Sequence, residues 1–157
     1  MKSYRLFNKI EVSFLGPFLG PINLENVIKE VESKIPLYLF SEIDIIYVGD
    51  FDFLNDKNIS SSFMDSAIYL SNNAYYESDI IYDITAAVAE SVEQKYMHLF
   101  YERPSIIKEL INYFNEEDQI SENFIDAIYE LLIENNKDMK ENMPLFVGLL
   151  EEIIRNE

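Results

Sequence analysis

The chain has no cysteine, one histidine, four glycines and five prolines among 157 residues. Without cysteine there can be no disulfide, no thiolate zinc site and no cysteine nucleophile. A single imidazole cannot supply the two- or three-histidine set of a common zinc site. Scarce glycine and proline leave little room for long irregular linkers. No run approaches 18 uninterrupted apolar residues, so no membrane-spanning helix is expected. The start, Met1-Lys2-Ser3-Tyr4-Arg5, is followed by no apolar run of signal-peptide length. The expected location is therefore intracellular.

Basic residues are also scarce, 12 Lys and Arg against 29 Asp and Glu, for a net charge of -17. Such a surface repels phosphate backbones and disfavours direct nucleic-acid binding. It suits a basic protein partner, or mimicry of a nucleic acid, or simply solubility. Residues 1–80 hold 6 Lys/Arg against 12 Asp/Glu, and residues 81–157 hold 6 against 17. The acidic excess lies mainly in the second half. Apolar residues make up 48% of the chain and aromatics 14%, too hydrophobic for a disordered acidic tail. One domain over residues 1–157 is expected, strand-rich over 1–75 and helical over 76–157.

Ile10, Val12 and Phe14 alternate with Glu11 and Ser13, which predicts a half-buried strand within residues 4–15. Two Leu/Gly/Pro breakers follow, at Gly16-Pro17 and Gly20-Pro21. Asn23 is a good N-cap for a helix carrying Leu24, Val27, Ile28, Val31 and Ile35, and Pro36 ends it. Residues 43–48 and 67–71 read as buried strands, with a polar, irregular segment at 50–66 between them. From Ser78, a plausible N-cap, the period becomes helical. Ile81, Ile84, Val88 and Val92 mark a long helix reaching Leu99 or Phe100.

Three further helices are expected. Pro104 opens the first, striped by Ile106, Ile107, Leu110, Ile111 and Phe114. Ser121 starts the second, with Phe124, Ile125, Ile128, Leu131 and Leu132 inward. The last spans 143–155, with Leu145, Phe146, Leu149, Leu150 and Ile153 inward. Strands with one early helix, then helices, indicate an α+β fold.

No Gly-rich phosphate loop, nucleophile elbow or cysteine pair is present. His98, near the end of the long helix, suits the helix dipole better than catalysis. Asp50, Asp52 and Asp56 are spaced faintly like a calcium loop, but Asn55 and Ser61 stand where its glycine and final carboxylate belong. Along the long helix, Asp83, Ala86, Glu90 and Glu93 share one face, nearly opposite the apolar stripe. That face reads as solvated; alternatively, Asp83, Glu90 and Glu93 hold a hard cation such as Mg²⁺, Mn²⁺ or Ca²⁺.

The runs Ile43-Asp44-Ile45-Ile46-Tyr47-Val48-Gly49-Asp50, Ala67-Ile68-Tyr69-Leu70-Ser71-Asn72 and Asp83-Ile84-Thr85-Ala86-Ala87-Val88-Ala89-Glu90-Ser91-Val92-Glu93 resemble the small zincin-like metallopeptidases of tailed bacteriophages. The resemblance covers about residues 24–115. In that family an edge strand precedes a helix of pattern D-[IL]-V-H-E-x-A-H-x-[VL]-E. Asp83, Ile84, Ala89, Val92 and Glu93 agree with it. The first ligand histidine falls on Ala86, the general-base glutamate on Ala87 and the second histidine on Glu90.

Two imidazoles at i and i+4 hold zinc, and the intervening glutamate deprotonates its water. Alanine does neither. The resemblance thus implies a pseudo-peptidase, with Ala86, Ala87, Glu90 and Glu93 as degenerate active-site positions and no cofactor or metal. Its expected role is a non-catalytic structural or accessory protein of a phage, in the virion or the host cytoplasm. It would bind other virion proteins or a basic host protein, with Tyr75, Tyr76, Tyr96 and Tyr101 as candidate interface residues. The alternative is an acidic inhibitor that imitates nucleic acid.

Overall fold

A computed structural model describes residues 3–155. Strands β1 (Tyr4–Leu6) and β2 (Ile10–Phe14) lead into helix α1 (Leu24–Lys34) and a 3₁₀ turn at Leu37–Phe40. Strand β3 (Ile45–Gly49), helix α2 (Asp52–Lys57), and strands β4 (Ser61–Met64) and β5 (Ala67–Ser71) follow. Then come helices α3 (Glu77–Tyr101), α4 (Pro104–Phe114), α5 (Ile120–Leu132), α6 (Lys137–Asn142) and α7 (Pro144–Arg155). The class is α+β, as the order of elements indicates. By its contacts the chain divides into two compact units, Met1–Ser91 and Val92–Glu157, with the division inside α3.

The first unit is built on a five-stranded mixed sheet in the order β1-β2-β3-β5-β4. The inner strands β2, β3 and β5 are parallel, and each edge strand is antiparallel to its neighbour. Parallel neighbours need a crossover connection. Helix α1 lies between β2 and β3, and α2 with β4 between β3 and β5. Asn23 caps α1 by accepting from the Glu25 N–H at 3.1 Å. Glu77, in the first turn of α3, accepts from the Asn23 N–H at 3.0 Å.

The strands alternate as a sheet with one well-covered face must. Ile46, Val48, Ile68 and Leu70 are buried, while Tyr47 and Tyr69 between them are half-buried. Tyr47, Tyr69, Phe51 and Phe53 form an aromatic cluster with ring centroids 5.3–5.8 Å apart.

Several expectations are corrected. The single strand within 4–15 is a hairpin, because Phe7 and Asn8 adopt φ of 52° and 53° and Lys9 N–H returns to the Leu6 carbonyl. Two consecutive positive-φ residues reverse the chain within a three-residue loop, Leu6 pairing with Ile10. Phe14, at the hairpin's far end, is 39% exposed and not inward. The "irregular" segment 50–66 holds α2 and edge strand β4, and Asp65-Ser66 closes another positive-φ turn. Helix α3 begins at Glu77, one residue before the expected cap, and departs from helical geometry at Tyr96 (φ −115°, ψ 18°).

The second unit centres on Phe100 (α3), Phe124 (α5) and Phe146 (α7), all fully buried, with centroids 4.9–5.5 Å apart. Pro104 occupies the first turn of α4, where its missing N–H costs nothing. Helix α6, unforeseen from the sequence, is capped by Asn136 accepting from the Asp138 N–H and buries Met139. Leu145 is 51% exposed and Val147 takes an inward place instead. Ile125 and Leu132 are half-buried rather than inward.

Candidate functional site

Within the first unit, Ala86, Ala87 and Glu90 lie on α3, whose Glu90 reaches edge strand β4. Ala87 is fully buried, and Ala86 and Glu90 are half-buried. Glu90 Oε2 accepts from the backbone N–H of Phe63, in β4, at 3.0 Å. The Glu90 carboxylate thus holds the sheet edge. This bond is charge-assisted and satisfies a backbone donor that an edge strand would otherwise leave unpaired.

The acidic face of α3 is not the solvated surface expected. Asp83 and Glu93 are each only 8% exposed. In the first unit, burial pushes the Asp83 carboxyl up from 3.8 to about 7, and the charge of Asp79 adds to the rise. In the second unit, Glu93 accepts from the Tyr101 hydroxyl. Burial, that hydrogen bond and the Glu93 charge push the Tyr101 phenol upward, partly offset by a hydrogen bond with Ser121. Among the described residues, no group of three or more His, Asp or Glu side chains is placed to hold a metal ion. Asp50, Asp52 and Asp56 are accordingly not gathered into such a group. Asp50 instead accepts from the Asn55 side chain at 2.8 Å, and Asp52 and Asp56 lie in α2.

The four candidate tyrosines differ. Tyr75 and Tyr76 are 58% and 70% exposed, in the loop before α3. Tyr96 and Tyr101 are half-buried; the Tyr96 ring lies 5.4 Å from Lys95 Nζ, and the Tyr101 hydroxyl is bound to Glu93. An exposed pair is thus available for contact, and Tyr101 is tied to the helical core. His98 is exposed in the last turn of α3, where a cation favours the helix dipole.

Residues that the sequence pattern did not single out also matter here. Phe63 meets Glu90 only because β4 forms within the polar segment 50–66, whose residues predict no strand. Ser60, Ser71, Asn73 and Tyr82 line a cavity together with Asp79 and Asp83. No local pattern signals that grouping, since its members come from three segments of the chain.

No protein-family model matches the chain, and no curated protein and no solved structure matches it. Among the described residues, no helix is long and apolar enough to cross a membrane.

Proposed function

We propose that the protein is a non-catalytic relative of the zincin-like peptidases, serving a bacteriophage as a structural or accessory protein through contact with another protein. The observation that carries this reading is the Glu90–Phe63 bond. Where the resemblance expects a zinc-binding imidazole, the side chain is a carboxylate engaged in holding the edge strand. Ala87, where a general base would stand, offers a buried methyl group. The order β3, edge strand β4, β5, long helix α3 is in keeping with the pattern of the resemblance. The exposed Tyr75 and Tyr76 supply apolar area of the kind enriched in interfaces.

The test has a chemical and a biological arm. Purified protein supplied with zinc should retain no stoichiometric metal and hydrolyse no casein. The paired substitution Ala86→His with Glu90→His should create zinc binding at least about tenfold tighter than Gln94→His paired with native His98, an exposed i,i+4 control. The protein should also co-purify with phage particles. Retained zinc with peptidase activity overturns the reading, as does absence from particles and from every assembly intermediate.

The net charge of -17 favours a second reading, an acidic inhibitor that caps a basic host protein. Its complex would weaken steeply as salt rises, because the attraction is largely electrostatic. Binding indifferent to salt excludes it.

A further inference from the structure

The first two turns of α3, the end of β5 with its following loop, and the residue before β4 enclose a cavity of about 320 Å³. That is within the size range of small-ligand pockets. Asp79, Tyr82 and Asp83 line it from the helix, and Ser60, Ser71 and Asn73 from the sheet end. Asp83 decides its character. The residue is more than nine-tenths buried, and what acts on its carboxyl is burial and the Asp79 charge, with no hydrogen bond among the described residues. Among those residues no side-chain polar atom sealed from solvent lacks a partner, so these oxygens open onto the cavity.

An unpaired buried carboxylate is costly, and a second one four residues away adds repulsion. The rise of the Asp83 carboxyl to about 7 expresses both effects. An anion is excluded by the same charges. The helix N-terminus does not reverse this, because the Asp79 N–H already donates to the Tyr76 carbonyl at 3.1 Å. A bare metal ion is disfavoured, since two carboxylates fall short of a cluster that holds one.

We propose that this cavity binds a guanidinium group between Asp79 and Asp83, with the Ser60, Ser71 and Asn73 side chains as further polar contacts. A guanidinium is planar, carries five donors and is weakly hydrated, so it tolerates partial burial better than an ammonium. The Tyr82 ring at the rim suits its flat face. The inference rests on the cavity alone and is independent of the pseudo-peptidase reading. The chemistry fits an arginine side chain of a polypeptide or a free guanidino-amine.

The test titrates the full chain, isotopically labelled, with N-acetylarginine methylamide, agmatine and N-acetylcitrulline methylamide, following backbone amide shifts. Saturable shifts are expected at Asn73, Asp79 and Asp83. The uncharged citrulline compound should bind at least about tenfold more weakly, as a buried carboxylate left unpaired demands. Asp83→Asn should weaken the arginine compound by a similar factor. Asp79→Asn, at an exposed position where folding is safe, should weaken it about threefold.

Tighter binding of agmatine assigns a free amine, and tighter binding of the capped arginine assigns a polypeptide side chain; either supports the site. Absence of saturable shifts overturns the proposal. So does equal binding of citrulline, or unchanged affinity in Asp79→Asn. Mg²⁺ alone saturating the same amides at lower concentration also overturns it.

Discussion

Glu90 on helix α3 holds Phe63 on edge strand β4, its Oε2 accepting the backbone N–H at 3.0 Å. The bond ties the outermost strand to helix α3. Glu90→Ala leaves the Phe63 N–H without this acceptor and should cost about 1–3 kcal/mol. Glu90→Gln keeps an acceptor and should recover much of the loss. Denaturant unfolding gives the energies, and faster hydrogen exchange at Phe63 in Glu90→Ala locates the effect.

Asp83 makes stability depend on pH. The folded protein holds the proton up to about pH 7, whereas the unfolded chain releases it near 3.8. Between those values the folded state binds more protons, so stability falls as pH rises through the window. The contribution is complete below the unfolded value, is lost above pH 7, and amounts to something on the order of 4 kcal/mol. Asp83→Asn should flatten this part of the profile and raise the melting temperature at pH 8. Thermal melts from pH 4 to 8, wild type beside variant, check it; parallel profiles would refute it.

Glu109 of α4 caps α7 from outside. Its two carboxylate oxygens accept from the N–H groups of Leu145 (3.0 Å) and Phe146 (2.8 Å). Pro144, the first residue of α7, has no N–H to satisfy, so this one side chain serves the next two orphan donors. Glu109→Ala should cost about 1–2 kcal/mol, in the range of lost N-caps. Amide exchange should rise first at Leu145 and Phe146.

Gly20 is required by close approach. A Cβ there would stand 2.4 Å from the Ala74 carbonyl oxygen and 2.5 Å from Tyr75 Cα, both backbone atoms. The loop before α1 must then move away from the segment that leads into α3. Gly20→Ala should destabilise by about 1–3 kcal/mol, as overpacking does. Gly148, with open space around its Cβ position, is the control, and Gly148→Ala should stabilise α7 by about 0.5–1 kcal/mol.

Elements whose signal is local and long were legible. The periods of α1, α4, α5 and α7 repeat over three or more turns. Asn23 and Pro104 mark the starts of α1 and α4 by chemistry confined to the first turn. Shorter elements were not. Helix α2 and strand β4 are six and four residues long, too short for a period to declare itself. The turns at Phe7-Asn8 and Asp65-Ser66 use positive φ without glycine, so the usual punctuation was missing.

That Ala86 and Glu90 stand one turn apart on one helix face follows from spacing alone, because a helix places i and i+4 together whatever surrounds it; their reading as emptied site positions is what the resemblance implies. Composition alone likewise determined the absence of cysteine chemistry and the excess of negative charge. What surrounds the helix was decided only by tertiary structure. Asp83 and Glu93 look like solvent-facing acids in the linear pattern. The first is buried and lines a cavity with residues before β4 and after β5, and the second meets the Tyr101 hydroxyl two turns away. Glu90 is committed to Phe63, 27 residues earlier, by a strand that exists only once β5 is there to pair with it. Burial and pairing are properties of neighbours brought together by the fold, and no local spacing encodes them.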